Sequence, residues 1–339
     1  MKKLFVIFAA IAMVGAFAAT TMAADWSFYG SSRMATFYDM VGEEQTTTGD
    51  SETTMTWAQQ GNSRIGARVK ASDTISGRFE YGFGGDKGIS DRLLYGTWAF
   101  SDSGSLLLGQ AYTPVSLWVG SQAYASDAGL IGWGASYGSR KDQIRLNIAG
   151  FQLALIENPG AGGYDTLIPK LEARYDLGLG DHNIAFAGGY NSQEDNALDE
   201  SVDSIFYGIG YTGAFGPVWL NAAFHGGTNL TNAGWYGSGA NAATAGGDDT
   251  TTMAVAFAVG MAASETMQFQ AGAGYIADEN EDIGPETDEA MSAYLQMTYV
   301  FAPGFFVIPE VGIVDNMEDM NENDQGSTTY VGAKWQINF

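Results

Sequence analysis

From Met253 to Met261 every second residue is large and apolar (Met253, Val255, Phe257, Val259, Met261), and the residues between are Ala or Gly. Successive side chains of a strand point to opposite faces, so this spacing predicts a β-strand with one greasy face and one face of small residues. The alternation returns at Ile205, Tyr207, Ile209 and Tyr211, and at Met291, Ala293, Leu295, Met297, Tyr299 and Phe301. It returns again at Val331, Ala333, Trp335, Ile337 and Phe339, where Lys334, Gln336 and Asn338 fill the gaps. A membrane barrel needs this arrangement, with apolar side chains toward lipid and polar or small ones toward a wet interior.

Sixteen such segments can be drawn, over 26–39, 57–71, 74–85, 91–101, 104–113, 139–149, 151–157, 168–178, 182–193, 202–212, 217–227, 250–262, 266–278, 288–301, 304–315 and 327–339. The predicted fold is all-β, a transmembrane antiparallel up-and-down barrel with an even strand number. Its connections alternate between short ones, such as Ser72 with Asp73 or Gly150 alone, and a mostly longer set that includes 40–56, 112–138, 228–249 and 316–326. Bacterial barrels have short periplasmic turns and long extracellular loops, so the asymmetry sets the orientation. A soluble sandwich or β-helix shares the alternation but has no reason for this asymmetry.

At the start, Lys2 and Lys3 precede an uncharged apolar run from Leu4 to Ala19 and the small-residue stretch ATTMAAD. That is the pattern of a signal peptide cleaved near Ala23 or Ala24, which leaves a leader of 1–23 and a barrel domain of 24–339. The run is shorter than the roughly 20 residues of a spanning helix. Cysteine is absent, so neither a disulfide framework nor a thiolate metal site is available. The formal charge of −24 becomes −26 once Lys2 and Lys3 leave, which excludes nucleic acid and favours cations as counter-ions.

Three stretches carry a resemblance: the opening strand DWSFYGSSRMATFYD, the fifth strand GSLLLGQAYTP, and the last strand TYVGAKWQINF ending on Phe339. With these the chain resembles the general diffusion porins of Gram-negative outer membranes. The resemblance implies a sixteen-stranded barrel in the outer membrane, a homotrimer, that forms a water-filled channel for passive diffusion of small hydrophilic solutes and ions. It further implies that the third loop, 112–138, folds into the lumen, and that the C-terminal strand ending in Phe339 is read by the barrel-assembly machinery. An arginine cluster facing acidic residues on that loop is also part of the family pattern. Here the sequence departs, because the loop offers only Asp127 among Trp118, Tyr124, Trp133 and Tyr137.

Strand parity selects the pore-lining charges. Ile65, Ala67 and Val69 face out, which turns Arg64 and Arg68 inward with Lys70, and the same rule points Arg33, Arg78, Glu80 and Lys334 into the lumen. The last strand must pair with the first, so these cations form one basic wall. Charged walls are how channels filter ions. The alternating Lys170, Glu172, Arg174 and Asp176 are expected to pair in part with one another.

The loops tell the opposite story. The stretches 39–56, 194–203, 278–289 and 315–324 hold 5, 5, 7 and 5 carboxylates and no Lys or Arg. Such loops repel one another or recruit Ca2+ or Mg2+, which in the resembling family also bridge them to lipopolysaccharide phosphates. Asp278, Asn280, Asp282 and Glu289 sit at positions 1, 3, 5 and 12 of a calcium-loop spacing, but Ile283 occupies the place of its turn glycine. A solvated acidic loop is therefore preferred over a Ca2+ site.

Two other motifs are set aside. Gly134, Ser136 and Gly138 match a serine elbow, and Gly208, Gly210 and Gly213 a dinucleotide loop, without the strand-to-helix turn either needs. Only His182 and His225 exist, too few for the usual zinc sites; His182 is expected at a turn and His225 at a strand's outer end. The chain is read as no enzyme, with no cofactor. The rivals to a nonspecific channel are a solute-specific channel of the same fold, a barrel hydrolase and a non-conducting adhesive barrel.

Overall fold

The structure, a computed structural model, describes residues 24–46, 49–84, 88–158, 164–166, 168–195, 198–235 and 241–339; the leader expected over 1–23 lies outside them. The chain forms one closed sheet of sixteen antiparallel strands. In order these are β1 (Asp25–Val41), β2 (Glu52–Gln59 and Ser63–Lys70), β3 (Ile75–Phe83), β4 (Ile89–Ser101), β5 (Gly104–Tyr112), β6 (Arg140–Ile148), β7 (Phe151–Ile156) and β8 (Tyr164–Thr166 and Lys170–Leu179). The second half holds β9 (His182–Asp195), β10 (Glu200–Phe215), β11 (Val218–Thr228), β12 (Thr251–Ala262), β13 (Met267–Glu279), β14 (Thr287–Ala302), β15 (Phe305–Asp315) and β16 (Ser327–Asn338). The two halves of β2 both pair with β1, and those of β8 both pair with β9, with the register slipping by two residues where each strand breaks, so each counts as a single strand.

The ring closes because β1 pairs with β2 on one side and with β16 on the other, from Ser31 opposite Asn338 to Val41 opposite Thr328. Phe339 finishes the seam: its N–H donates to the Gly30 carbonyl at 3.0 Å and its carbonyl accepts from the Gly30 N–H at 2.7 Å. Its ring packs over Gly30, where a Cβ would push the ring aside.

Parity divides inside from outside along these strands. Met253, Val255, Phe257, Val259 and Met261 of β12 are exposed on the outer surface, with Trp57, Leu94, Ile205, Leu295 and Phe301 on theirs. The small face of β12 differs from expectation. Ala254, Ala256 and Ala258 meet no water, because the segment 113–139 between β5 and β6 covers them. Its Val115, Leu117, Val119, Leu130 and Ala135 bury against Ala185, Ala187, Phe206, Ala223, Ala256, Ala258 and Tyr294 of the inner wall. Leu230, Ala233 and Trp235 of the segment after β11 join the same core.

The second strand also departs from expectation. It starts at Glu52 rather than Trp57 and breaks at 60–62, where Gln60 and Asn62 donate side-chain hydrogen bonds to the Ala123 and Ser126 carbonyls of the inserted segment.

Glycines on the inner wall allow the segment's backbone to lie against the strands. A Cβ on Gly274 would overlap the Trp133 carbonyl oxygen, and one on Gly134 the Val255 carbonyl oxygen. Gly274→Ala is therefore expected to destabilise the folded barrel by roughly 1–3 kcal/mol through overpacking. Gly178→Ala, whose new Cβ meets nothing, should be near neutral. Thermal unfolding of the detergent-folded protein compares them, and equal midpoints would show that the segment does not press on β13.

Candidate functional site

The inner wall gathers its charges in layers. Glu80 on β3 is 1% exposed and accepts from Arg92 at 2.7 Å, Arg78 at 3.0 Å and Arg64 at 3.2 Å. The Tyr29 hydroxyl donates to the same carboxylate at 2.9 Å and accepts from Arg78 Nε at 2.8 Å. Three guanidiniums around one carboxylate leave an excess of positive charge. Arg68, directly opposite Arg78 in the ladder, is exposed inside the barrel and has no carboxylate partner among the described residues. It leans over the Tyr29 ring at 5.7 Å.

Arg92 escaped the sequence reading for a physical reason. Leu94 and Trp98 face out, so even-numbered positions of β4 should face lipid. The register slips at Arg92, where Glu80 pairs with Leu93 but Tyr81 with Asp91. One extra residue is a β-bulge, which re-aims a side chain, and here it turns a guanidinium inward.

The second layer hangs on Asp127 of the inserted segment. Its carboxylate accepts from Lys334 Nζ at 2.6 Å, from Asn62 at 2.6 Å and from Arg33 Nη1. The adjoining backbone is unusual, since Ala125, Ser126 and Asp127 have φ of 48°, 63° and 62°. The left-handed region costs an L-residue about 1–2 kcal/mol. Strong anchors must hold it. Glu310 on β15 accepts the Ala123 and Tyr124 N–H groups at 2.6 and 3.0 Å, and the Tyr124 ring stacks on Tyr330 at 3.8 Å. Burial pushes the Tyr124 phenol above its ordinary range, with Asp39 adding to the shift.

A third layer holds the segment against β8. Lys170 and Glu172 are buried 3.9 Å apart, with Glu172 accepting from the Val115 N–H and from Trp235 Nε1. Arg174 pairs with Asp176 at 2.8 Å and donates to the Ser116 carbonyl at 3.0 Å.

Of the charges that parity and the third loop select, the structure brings Arg64, Arg78 and Glu80 into one cluster and Arg33, Lys334 and Asp127 into another, while Arg68 meets the first through the Tyr29 ring without an ion pair among the described residues. Sequence reasoning missed Arg92, and it also missed Arg140 and Arg145, which flank Tyr112.

The four positions of the calcium-loop spacing do not converge. Asp278 accepts from Thr252, Asn280 donates to Thr250 and to the Asp248 carbonyl, Asp282 accepts from the Asp248 N–H, and Glu289 accepts from Tyr275. Among the described residues no three His, Asp or Glu gather as a metal-binding group. The reason is the strands. Asp278 and Asp288 already pair within the β13–β14 ladder, so the stretch from Asp278 to Glu289 is a hairpin rather than one coiled loop.

His182 opens β9 beside the turn from β8 and bonds the Tyr211 hydroxyl of β10 at 2.8 Å. His225 lies near the end of β11 that leads into the long connection, as expected. It is buried on the inner face of β11, stacked on Phe206, because the segment after β11 folds over it.

Glu80→Gln would leave three arginines around an amide. Removing one partner of a buried pair costs about 3–5 kcal/mol, so unfolding in guanidinium should show a loss of that order. Adding Arg92→Gln should restore part of it. A loss below about 1 kcal/mol would mean the cluster is solvated rather than buried.

No known protein-family profile matches this chain, and no curated protein matches it by sequence. Solved structures do match by shape. The outer membrane channel DcaP of Acinetobacter baumannii superposes with a TM-score of 0.75 at 14% identity, over 94% of this chain and 99% of that one. The trimer form of OmpT, an outer membrane protein of Vibrio cholerae, gives 0.64 at 14% identity over 94% and 100%. The anion-selective porin from Comamonas acidovorans gives 0.64 at 14% identity over 93% and 100%. The chain has the closed sixteen-stranded barrel fold of Gram-negative outer-membrane porins.

Proposed function

We propose that the protein is an outer-membrane channel of a Gram-negative bacterium through which small hydrophilic solutes and ions diffuse passively. The observation that carries this is the division of the barrel: its outside is a belt of exposed apolar side chains, while unneutralised cations such as Arg68 face the inside of a closed cylinder. Such an outside suits hydrocarbon, and sixteen strands enclose more space than side chains alone fill.

In this reading the leader is cleaved near Ala23, the loop ends face outward and Phe339 is read during assembly. The chain forms a homotrimer, as the trimer form of the Vibrio cholerae protein is consistent with, and Ca2+ or Mg2+ gathers at its acidic loops near lipopolysaccharide. No step of catalysis is assigned to it.

Purified protein in a planar bilayer should give stepwise conductance, and none would end this reading. In a salt gradient the acidic mouth attracts cations and the basic wall favours anions. Salt screens both over about 8 Å, so neither ion should be preferred beyond roughly tenfold. Arg64→Gln with Arg68→Gln should move the reversal potential toward cations. Arg68→Gln alone should carry much of that shift, since no carboxylate of the described residues pairs with Arg68. An unchanged potential would place both residues away from the ion path.

A further inference from the structure

Within the inserted segment, residues 113–117 and Val119 are buried, yet Trp118 between them is 46% exposed. Leu117 and Val119 point into the core that the segment makes with the small-residue wall. Trp118 points the other way, toward β5 and β6. There it meets Tyr112 edge-on with ring centroids 5.4 Å apart, and Tyr137 at 5.5 Å. A half-bare indole inside a polar barrel forgoes burial that its two neighbours cannot complete, which leaves apolar ring surface open to a ligand.

Cations surround the same group. Arg140 lies over the Tyr112 ring at 5.5 Å and donates to its hydroxyl at 3.4 Å, and Arg92 Nη2 donates to that hydroxyl at 3.3 Å. Arg145 Nη1 donates to the Tyr112 carbonyl at 2.9 Å, and its Nε is buried with no acceptor. Neither Arg140 nor Arg145 forms an ion pair among the described residues. Guanidiniums present a planar fork that matches a carboxylate, and here no carboxylate of the described residues pairs with it.

We propose that Trp118, Tyr112 and Tyr137, with Arg140 and Arg145, form a binding site for small anions with a flat apolar body, aromatic carboxylates. The ring stacks on the bare face of Trp118 and the carboxylate meets the arginines. A sugar would use the aromatic face too. It would also call for carboxylates to accept from its hydroxyls, and this wall supplies guanidiniums in excess. The site rests on the channel reading and adds the solute class.

The test is block of single-channel chloride current by benzoate, acetate, benzyl alcohol and glucose, each compared with the open current of the same variant. Benzoate should reduce the current at a concentration at least about tenfold below the other three, because stacking and charge act together. Trp118→Ala and Arg140→Gln should each raise the half-blocking concentration of benzoate about tenfold, while Trp118→Phe should keep most of the affinity. Quenching of tryptophan fluorescence by benzoate, lost in Trp118→Phe, gives a reading that needs no conductance. Equal block by acetate would reduce the site to a plain anion path, and equal block by benzyl alcohol to an apolar patch. Stronger block by glucose would make it a sugar site, and benzoate block that survives Trp118→Ala would place it elsewhere. Each of these overturns the proposal while leaving the channel standing, whereas absence of any conductance removes the channel itself.

Discussion

Closure of the hydrogen-bond ladder is the constraint on which the structure depends. In hydrocarbon an unpaired N–H or C=O costs several kcal/mol, so a sheet can sit there only without edges. β1 meets that demand by pairing on both sides, and the reciprocal bonds between Gly30 and Phe339 complete the seam. Once the ring is shut, each residue's side of the wall follows from its place in the register. The charges then have nowhere to go but inward.

That coupling explains which parts of the molecule were legible in the sequence. Strands with strict alternation, such as 253–261 and 329–339, announce both their existence and their facing, because lipid on one side tolerates no exception. Arg33, Arg64, Arg78, Glu80 and Lys334 could be placed from parity alone. Arg92 could not, because the rule assumes an unbroken register and β4 breaks it with a bulge. The first half of β2 was also hidden. Its Thr-rich run of Glu52 to Gln59 carries only Met55 and Trp57 as apolar markers, and it reads as loop until its pairing with β1 is seen.

The small-residue face was legible as a pattern and misread in meaning. Ala and Gly between large apolar residues look like a wall left plain for water. They are the seat of the inserted segment, and the close fit of Trp133 on Gly274 shows why nothing larger fits. A strand pattern contains no statement about what a distant loop will do, so this part of the site depends on tertiary contact. The polar anchors Glu310 and Asp127 had the same fate. One was unremarked on its strand and the other was a lone acid in a loop, yet together they hold three consecutive left-handed residues in place.

The placement of the cations gives the interior its sidedness. No Lys or Arg occurs between Arg174 and Lys334, so the strands from β9 to β15 carry none. Those are the strands whose Ala, Gly and Tyr residues take the inserted segment, and an apolar insert cannot lie against arginines without stripping their water. The division has a consequence for what is left open. The insert covers the arc without cations and is tied at its rims by Lys170 with Glu172 on β8 and by Arg33 with Lys334 at the seam. The arc from β2 to β6 keeps Arg64, Arg68, Arg78, Arg92, Arg140 and Arg145, and the insert reaches it through the bonds of Gln60 and Asn62 and through the aromatic group around Trp118. The open side of the interior therefore borders the basic strands, and in the proposed channel a solute would pass guanidiniums whatever its own charge.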